Sequence, residues 1–267
     1  MRELIVRGIS GLLYVTIIVF AMFASRELFL ALFFFLGLLT INEFQKLVHL
    51  NSYASFLIFS VLLFFLSYKV IDLNAVYFYA VTAVFVNLFL IRDLLVVHRI
   101  PMFYQKKYVT LIFYIISGFV FLTLIPFRDG NFSPKIIVGV FILIWANDTF
   151  AYLLGKNFGK RKLLERISPK KTIEGFFGGL AGTLLASFLI FKYLGSLSMG
   201  IWCSLGFIIA ILGTFGDLIQ SKFKRQAGVK DSGVLMPGHG GIYDRLDSII
   251  FVSPFIYTYL EIVHYVS

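Results

Sequence analysis

The amino-acid sequence predicts an all-α protein threaded repeatedly through a membrane, with about nine transmembrane helices. Three observations carry that prediction. Hydrophobic residues fill 59% of the 267 positions and charged ones only 14%. The mean hydropathy is +0.90. Apolar runs of about 17–25 residues, the length that crosses about 30 Å of hydrocarbon, recur from end to end. With 32 Phe and 14 Tyr, the composition lies outside the soluble range and leaves no room for a separate soluble domain.

The runs fall at residues 8–25, 27–43, 54–71, 74–91, 109–127, 134–154, 175–195, 199–219 and 247–264. Arg2 and Arg7 precede the first run like the basic head of a signal peptide, but Ala21 to Ser25 offers no small-x-small cleavage site, so a retained helix is expected. Residues 1–130 read as scaffold helices and 131–267 as helices carrying the chemistry, within one integrated membrane domain. Lys and Arg collect in short cytoplasmic loops. With the amino terminus inside, 19 of the 24 basic residues are cytoplasmic, leaving Arg26, Lys69, Arg128, Lys135 and Lys192 outside. Both long polar loops then face the cytoplasm.

The formal charge of +10 suits anionic lipid headgroups or an anionic substrate. Without a soluble basic module, nucleic acid is excluded as a partner. Cys203 is the lone cysteine, so neither a disulfide framework nor a cysteine metal site is expected.

In the first half, Asn42 with Glu43 and Arg92 with Asp93 read as interface anchors or ion pairs. Residues 98–108 (HRIPMFYQKKY) suit either a helix lying on the membrane surface or a plain connecting loop. Polar residues gather at span ends from residue 134 onward. Asn147 and Asp148 lie inside the end of the sixth run, where a carboxylate is costly and marks a pathway, a partner or a site. Ser168 with Pro169 reads as a helix-start signal. Lys170, Lys171 and Thr172 would then stand at a helix amino terminus, where charge and free N–H groups favour phosphate. The pairs Gly175/Gly179 and Gly178/Gly182 are small-xxx-small and predict close helix packing.

The densest chemistry lies in residues 221–247, SKFKRQAGVKDSGVLMPGHGGIYDRLD. Asp217, Ser221 and Lys224 stand at i, i+4 and i+7, on one helical stripe, with Asp217 expected near a helix carboxyl end where the macrodipole demands a cation. Asp244 and Asp247 share a face at the start of the last run, with Arg245 between them. On the expected topology Asp148, Asp217, Asp244 and Asp247 converge at one depth. Their mutual repulsion calls for a bound cation, and hard oxygen ligands suit Mg²⁺ completed by substrate phosphates. Gly238, His239, Gly240 and Gly241 form a flexible loop whose backbone can approach a phosphate, or a simple turn.

Ser221-x-Phe223-Lys224-Arg225, then Lys230-Asp231-x-Gly233, then Pro237-x-His239-Gly240-Gly241-Ile242-x-Asp244-Arg245-Leu246-Asp247 resembles the signature of the CDP-diacylglycerol synthases (phosphatidate cytidylyltransferases). Met236 stands where Leu, Ile or Phe is expected, a mild departure because Met is an adaptable apolar residue. Asn147-Asp148, Ala151-Tyr152, Ser168 to Thr172 and Glu174-Gly175 extend the resemblance across the second half; the first half agrees only in hydropathy. The resemblance implies transfer of a cytidylyl group from CTP to phosphatidic acid, giving CDP-diacylglycerol and pyrophosphate, with Mg²⁺ required and room for a second, monovalent or divalent, cation. It implies Asp217, Asp244 and Asp247 as metal ligands, with Asp148 next. Lys224, Arg225, Lys230 and Arg245 would neutralise the triphosphate and lipid phosphate, and Asp231 falls within the signature. His239 would donate to leaving pyrophosphate or order its loop. Membrane lipids are the expected surroundings, with a homodimer as the assembly to be tested.

Two other classes fit parts of the pattern. A membrane CTP-dependent polyprenol kinase would share nucleotide, metal and topology but release CDP. A transporter would place its polar groups near the midplane at broken helices, whereas these charges gather at one face.

Overall fold

The computed structural model describes residues 2–128, 130–238 and 240–266, without the side chains of residues 2–7 and 128. The expected apolar runs are helical: α1 (Arg2–Ala24), α2 (Arg26–Leu47), α3 (Ala54–Tyr68), α4 (Leu73–Val96), α5 (Tyr104–Leu124), α6 (Pro134–Phe158), α7 (Ile173–Leu194), α8 (Met199–Gln226) and α9 (Tyr243–Val266). Among the described residues, 7 helices are long and apolar enough to cross a membrane; the apolar stretches Gly8–Ala24 and Ala54–Tyr68 are shorter. The expectation of about nine spans is thus met in the number of long helical segments, of which seven are long and apolar enough to cross a membrane among the described residues.

Local chemistry sets the boundaries. Side chains of Ser25, Asp72, Thr172 and Ser198 accept the first free N–H groups of α2, α4, α7 and α8. Gly195, at φ +59°, ends α7 in the left-handed region where a Cβ would be strained. Pro254 sits inside α9 and leaves the Ile250 carbonyl without its helical donor. Gly118 of α5 lies against that carbonyl, a close approach that a Cβ would block.

Residues 98–103 form an irregular connection whose Ile100 N–H and carbonyl bond the Gln226 side chain (3.1 and 3.0 Å). The helix that follows is the first turn of α5, so the surface-helix alternative is not what forms. Two short hairpins complete the fold: β1 (Phe127–Arg128) pairs with β2 (Asn131–Phe132), and β3 (Lys162–Leu164) with β4 (Ser168–Thr172).

The second hairpin corrects one expectation. Ser168 and Pro169 open a strand, and α7 begins only at Ile173. A residue before proline favours extended backbone, proline is tolerated at a strand's first residues, and Thr172 supplies the cap instead, accepting from Gly175 N (3.1 Å). Lys170 and Lys171 therefore stand on β4 and not in the first turn of a helix.

The two halves interleave. Helix α9 packs against α2, α4 and α5, and the Phe44 ring meets Tyr114, Phe223 and Tyr243 edge-on. Lys222, only 2% exposed, donates to the carbonyls of Asp93, Leu94 and Val97 (2.7, 3.1 and 2.6 Å), closing the carboxyl end of α4. Asp93 pairs with Lys106 (2.5 Å), while its neighbour Arg92 lies over the Phe89 ring. The glycine stripe packs as expected: a Cβ at Gly178, Gly179 or Gly182 would strike Leu154, Asn147 or Phe150 of α6, and one at Gly175 would strike the Ala151 carbonyl.

Candidate active site

A cavity of about 620 Å³ opens where α6, α7, α8 and the second hairpin meet. It is the size of a small-molecule site. Helix α6 contributes Asn147, Asp148, Tyr152 and Lys156; the hairpin brings Lys162, Leu163 and Pro169 to Thr172; α7 adds Gly175 and Phe176; α8 adds Gly213, Thr214 and Asp217; and α9 adds Ser248. The glycine stripe is what lets α7 approach α6 closely at this wall. A π-helical turn at Ile209–Gly213 precedes Asp217; such widened turns often mark functional sites. The Gly213 carbonyl accepts from Ser248 Oγ (3.2 Å), tying α8 to α9 at the rim.

Asp217 lies well inside α8, which runs on to Gln226, and not near a helix carboxyl end as expected. Its need for a cation is nevertheless met. Lys171 of β4 forms an ion pair with it, and Ser221 Oγ donates to its Oδ1 (3.2 Å), confirming the i, i+4 stripe. Asp148, beside Asn147, and Asp247 are within electrostatic reach of Asp217, so three of the four expected carboxylates share one region. Asp247 Oδ1 accepts the Ser248 N–H (2.7 Å).

Asp244 occupies a different place. Its Oδ1 accepts from Lys224 Nζ (2.7 Å) and Gln220 Nε2 (2.9 Å), and its Oδ2 from Ser232 N (2.7 Å), Ser232 Oγ (3.0 Å) and Gly241 N (2.9 Å). Both oxygens are thus saturated by protein donors. The arrangement ties the start of α9 to α8 and buttresses the loop between them. Lys224 links buttress and cavity, since it also interacts electrostatically with Asp217 and Asp247.

The other signature residues lie around this buttress. Arg225, Lys230, Asp231 and Arg245 are exposed. Arg225 donates to the Val229 carbonyl (3.1 Å), closing the turn after α8. Gly240, at φ +86°, passes its carbonyl to Met236 N (2.9 Å), and a Cβ there would strike Asp244. His239 lies outside the described residues. Ser168 opens β4 opposite Leu164.

The donor chemistry of Asp148, Asp217 and Asp247 fits a hard divalent cation. Among the described residues no group of three His, Cys, Asp or Glu converges closely enough to hold a metal ion unaided. Substrate phosphate oxygens would have to complete such a shell.

Sequence reasoning passed over Lys162 and Ser248 at the cavity and Glu43, Gln220 and Ser232 at the buttress. Lys162 stood in a visible basic run. The others carry no local signal.

An α-helical protein with helices long and apolar enough to cross a membrane, and with acidic and basic side chains lining one cavity among them, is the class that geometry defines. The sequence profile of the Cytidylyltransferase family matches residues 5–263, and the chain belongs to that family. Among its relatives, the phosphatidate cytidylyltransferase of Staphylococcus aureus strain COL is 50% identical over 122 residues, 45% of this chain and 46% of that protein. That of Staphylococcus epidermidis strain ATCC 35984 is 47% identical over 124 residues, 46% of this chain and 47% of that protein. Each match therefore spans about half the length of either partner.

Proposed function

We propose that this protein transfers the cytidylyl group of CTP to phosphatidic acid, releasing pyrophosphate and CDP-diacylglycerol, at the cytoplasmic face of the cell membrane in phospholipid biosynthesis. The observation that carries the reading is the cavity that Lys156, Lys162, Lys170 and Lys171 line together with Asp148 and Asp217. Four ammonium groups suit a triphosphate. Carboxylates beside them would be repulsive to it unless a cation stands between. Family membership and the names of the relatives point the same way.

In the reaction a phosphatidate oxygen attacks the α-phosphorus of CTP, the bond to the bridging oxygen of the β-phosphate breaks, and pyrophosphate leaves with that electron pair. No covalent enzyme intermediate is needed, so positioning and charge do most of the work. Lys170 and Lys171 bind phosphate oxygens, with Lys171 released from Asp217 as the substrate enters. Asp148, Asp217 and Asp247 would hold Mg²⁺ jointly with those oxygens, and the ion would neutralise charge that builds up at the α-phosphate. Tyr152, Leu163, Pro169 and Phe176 give apolar walls to the cavity, suited to the base or the glycerol end of the lipid, while the acyl chains stay in the bilayer. The basic hairpin and the excess of Lys and Arg in the loops beside it support the cytoplasmic placement.

The test is to supply the purified protein in detergent with CTP, phosphatidic acid and Mg²⁺ and to identify products by mass spectrometry. CDP-diacylglycerol with pyrophosphate is expected. CDP with a newly phosphorylated lipid would replace the reading by that of a kinase.

A further inference from the structure

Glu43 lies in the first half of the chain, far in sequence from the signature, yet it is 3% exposed and reaches the signature loop. Ser232 Oγ donates to its Oε2 (2.7 Å), Tyr243 N to Oε2 (2.9 Å) and Ile242 N to Oε1 (3.0 Å). The last two are free N–H groups at the start of α9, so Glu43 caps that helix from another one. A Cβ at Gly233 or Gly241 would strike the carboxylate, so the loop is moulded around it. The Ser232 hydroxyl lies within reach of Asp244 Oδ2 as well (3.0 Å), joining the two acids in one clasp. Among the described residues no Lys or Arg pairs with Glu43. A buried carboxylate without a counter-cation is costly, and packing alone would be served better by an apolar side chain.

We propose that Glu43 is a positioning residue for the reaction, fixing where α9 begins so that Ser248, one turn further on, lines the cavity with Asp148 and Asp217 and its neighbour Asp247 is held with it. The inference rests on the functional reading above. Glu43 does not line the cavity and touches no substrate. Its effect runs through α9, so its loss alters the geometry of the reacting groups more than the binding of nucleotide.

The experiment compares the full-length parent with Glu43→Gln and Ser232→Ala, reading kcat, KM for CTP and melting temperature in detergent. Both variants keep the size of the side chain or nearly so, and Glu43→Gln keeps one acceptor oxygen for α9. A fall in kcat of tenfold or more, with KM for CTP changed less than threefold and melting within a few degrees of the parent, is expected for each. The double variant should be no worse than the poorer single one, because both cut the same clasp. Parental kcat in Glu43→Gln, or in Ser232→Ala should Glu43→Gln not fold, overturns the positioning role, as does a rise in KM that accounts for the whole loss. A parent that converts no phosphatidate overturns the functional reading instead, and the two failures are thereby told apart.

Discussion

The ammonium group of Lys171 on β4 is paired with the carboxylate of Asp217 in the middle of α8. One residue belongs to a basic hairpin outside the helices, the other to a span that is apolar for most of its length, and their meeting point is the wall of the cavity. The pair satisfies both charges while no polyanion is bound. On the proposed function, a phosphate competing for Lys171 would leave Asp217 without its partner and in need of another cation, which would couple substrate entry to metal binding through a single contact.

That coupling predicts the behaviour of Asp217→Asn. Shape and much of the hydrogen bonding survive, but the charge that holds a cation against the phosphates is gone. Turnover should fall at least a hundredfold, on the order of 2.7 kcal/mol of transition-state stabilisation. Melting of the metal-free protein should change little, since relief of repulsion with Asp148 and Asp247 offsets loss of the Lys171 ion pair. Steady-state kinetics and thermal melting on one preparation check both halves, and Mg²⁺ should stabilise this variant less than the parent.

Lys171→Ala should raise KM for CTP and lower kcat/KM by about tenfold or more, roughly 1.4 kcal/mol. Lys135→Ala, which removes an exposed charge at the far end of α6, should leave both parameters near the parental values. Lys106 would be a poor comparison because it neutralises the buried Asp93.

Asp244→Asn should act on stability. Its amide would present a donor to a site already crowded with four N–H donors and would strip Lys224 of its partner. A loss of about 2–4 kcal/mol is expected, read as a lower melting temperature in metal-free buffer. Undiminished melting alongside lost turnover would instead return Asp244 to the metal-binding group.

Gly182→Leu tests the α6–α7 contact. The new side chain must enter space held by Phe150, at a cost of about 1–3 kcal/mol or more. Melting should drop, and activity should fall with it because Asp148 stands on α6 and Thr172 caps α7. Gly200→Leu, where a Cβ meets nothing within 4 Å, should do neither.

What the sequence revealed follows from what is local. Apolar runs gave the helices, four-residue spacing gave the Gly175 to Gly182 stripe and the Asp217–Ser221 bond, and the acidic positions at 148, 217 and 247 gave three carboxylates that share one region. What it hid is non-local. Glu43 and Ser232 are 189 residues apart, and nothing in the neighbourhood of either announces the other. Asp93 looked like a partner for adjacent Arg92, yet its cation comes from Lys106 once the chain has turned back. Ser168-Pro169 was ambiguous in itself, because the same dipeptide that starts helices also favours extended backbone, and the pairing of β3 with β4 decides between them.

The most direct measurement follows isotopic label from CTP into lipid, with purified protein, phosphatidic acid and Mg²⁺. If the α-phosphorus is attacked, label placed at the α-phosphate enters the lipid, label at the γ-phosphate leaves in pyrophosphate, and both transfers stop in excess chelator and resume with added Mg²⁺. Label from the γ-phosphate appearing in lipid, or full turnover in chelator, would contradict the account.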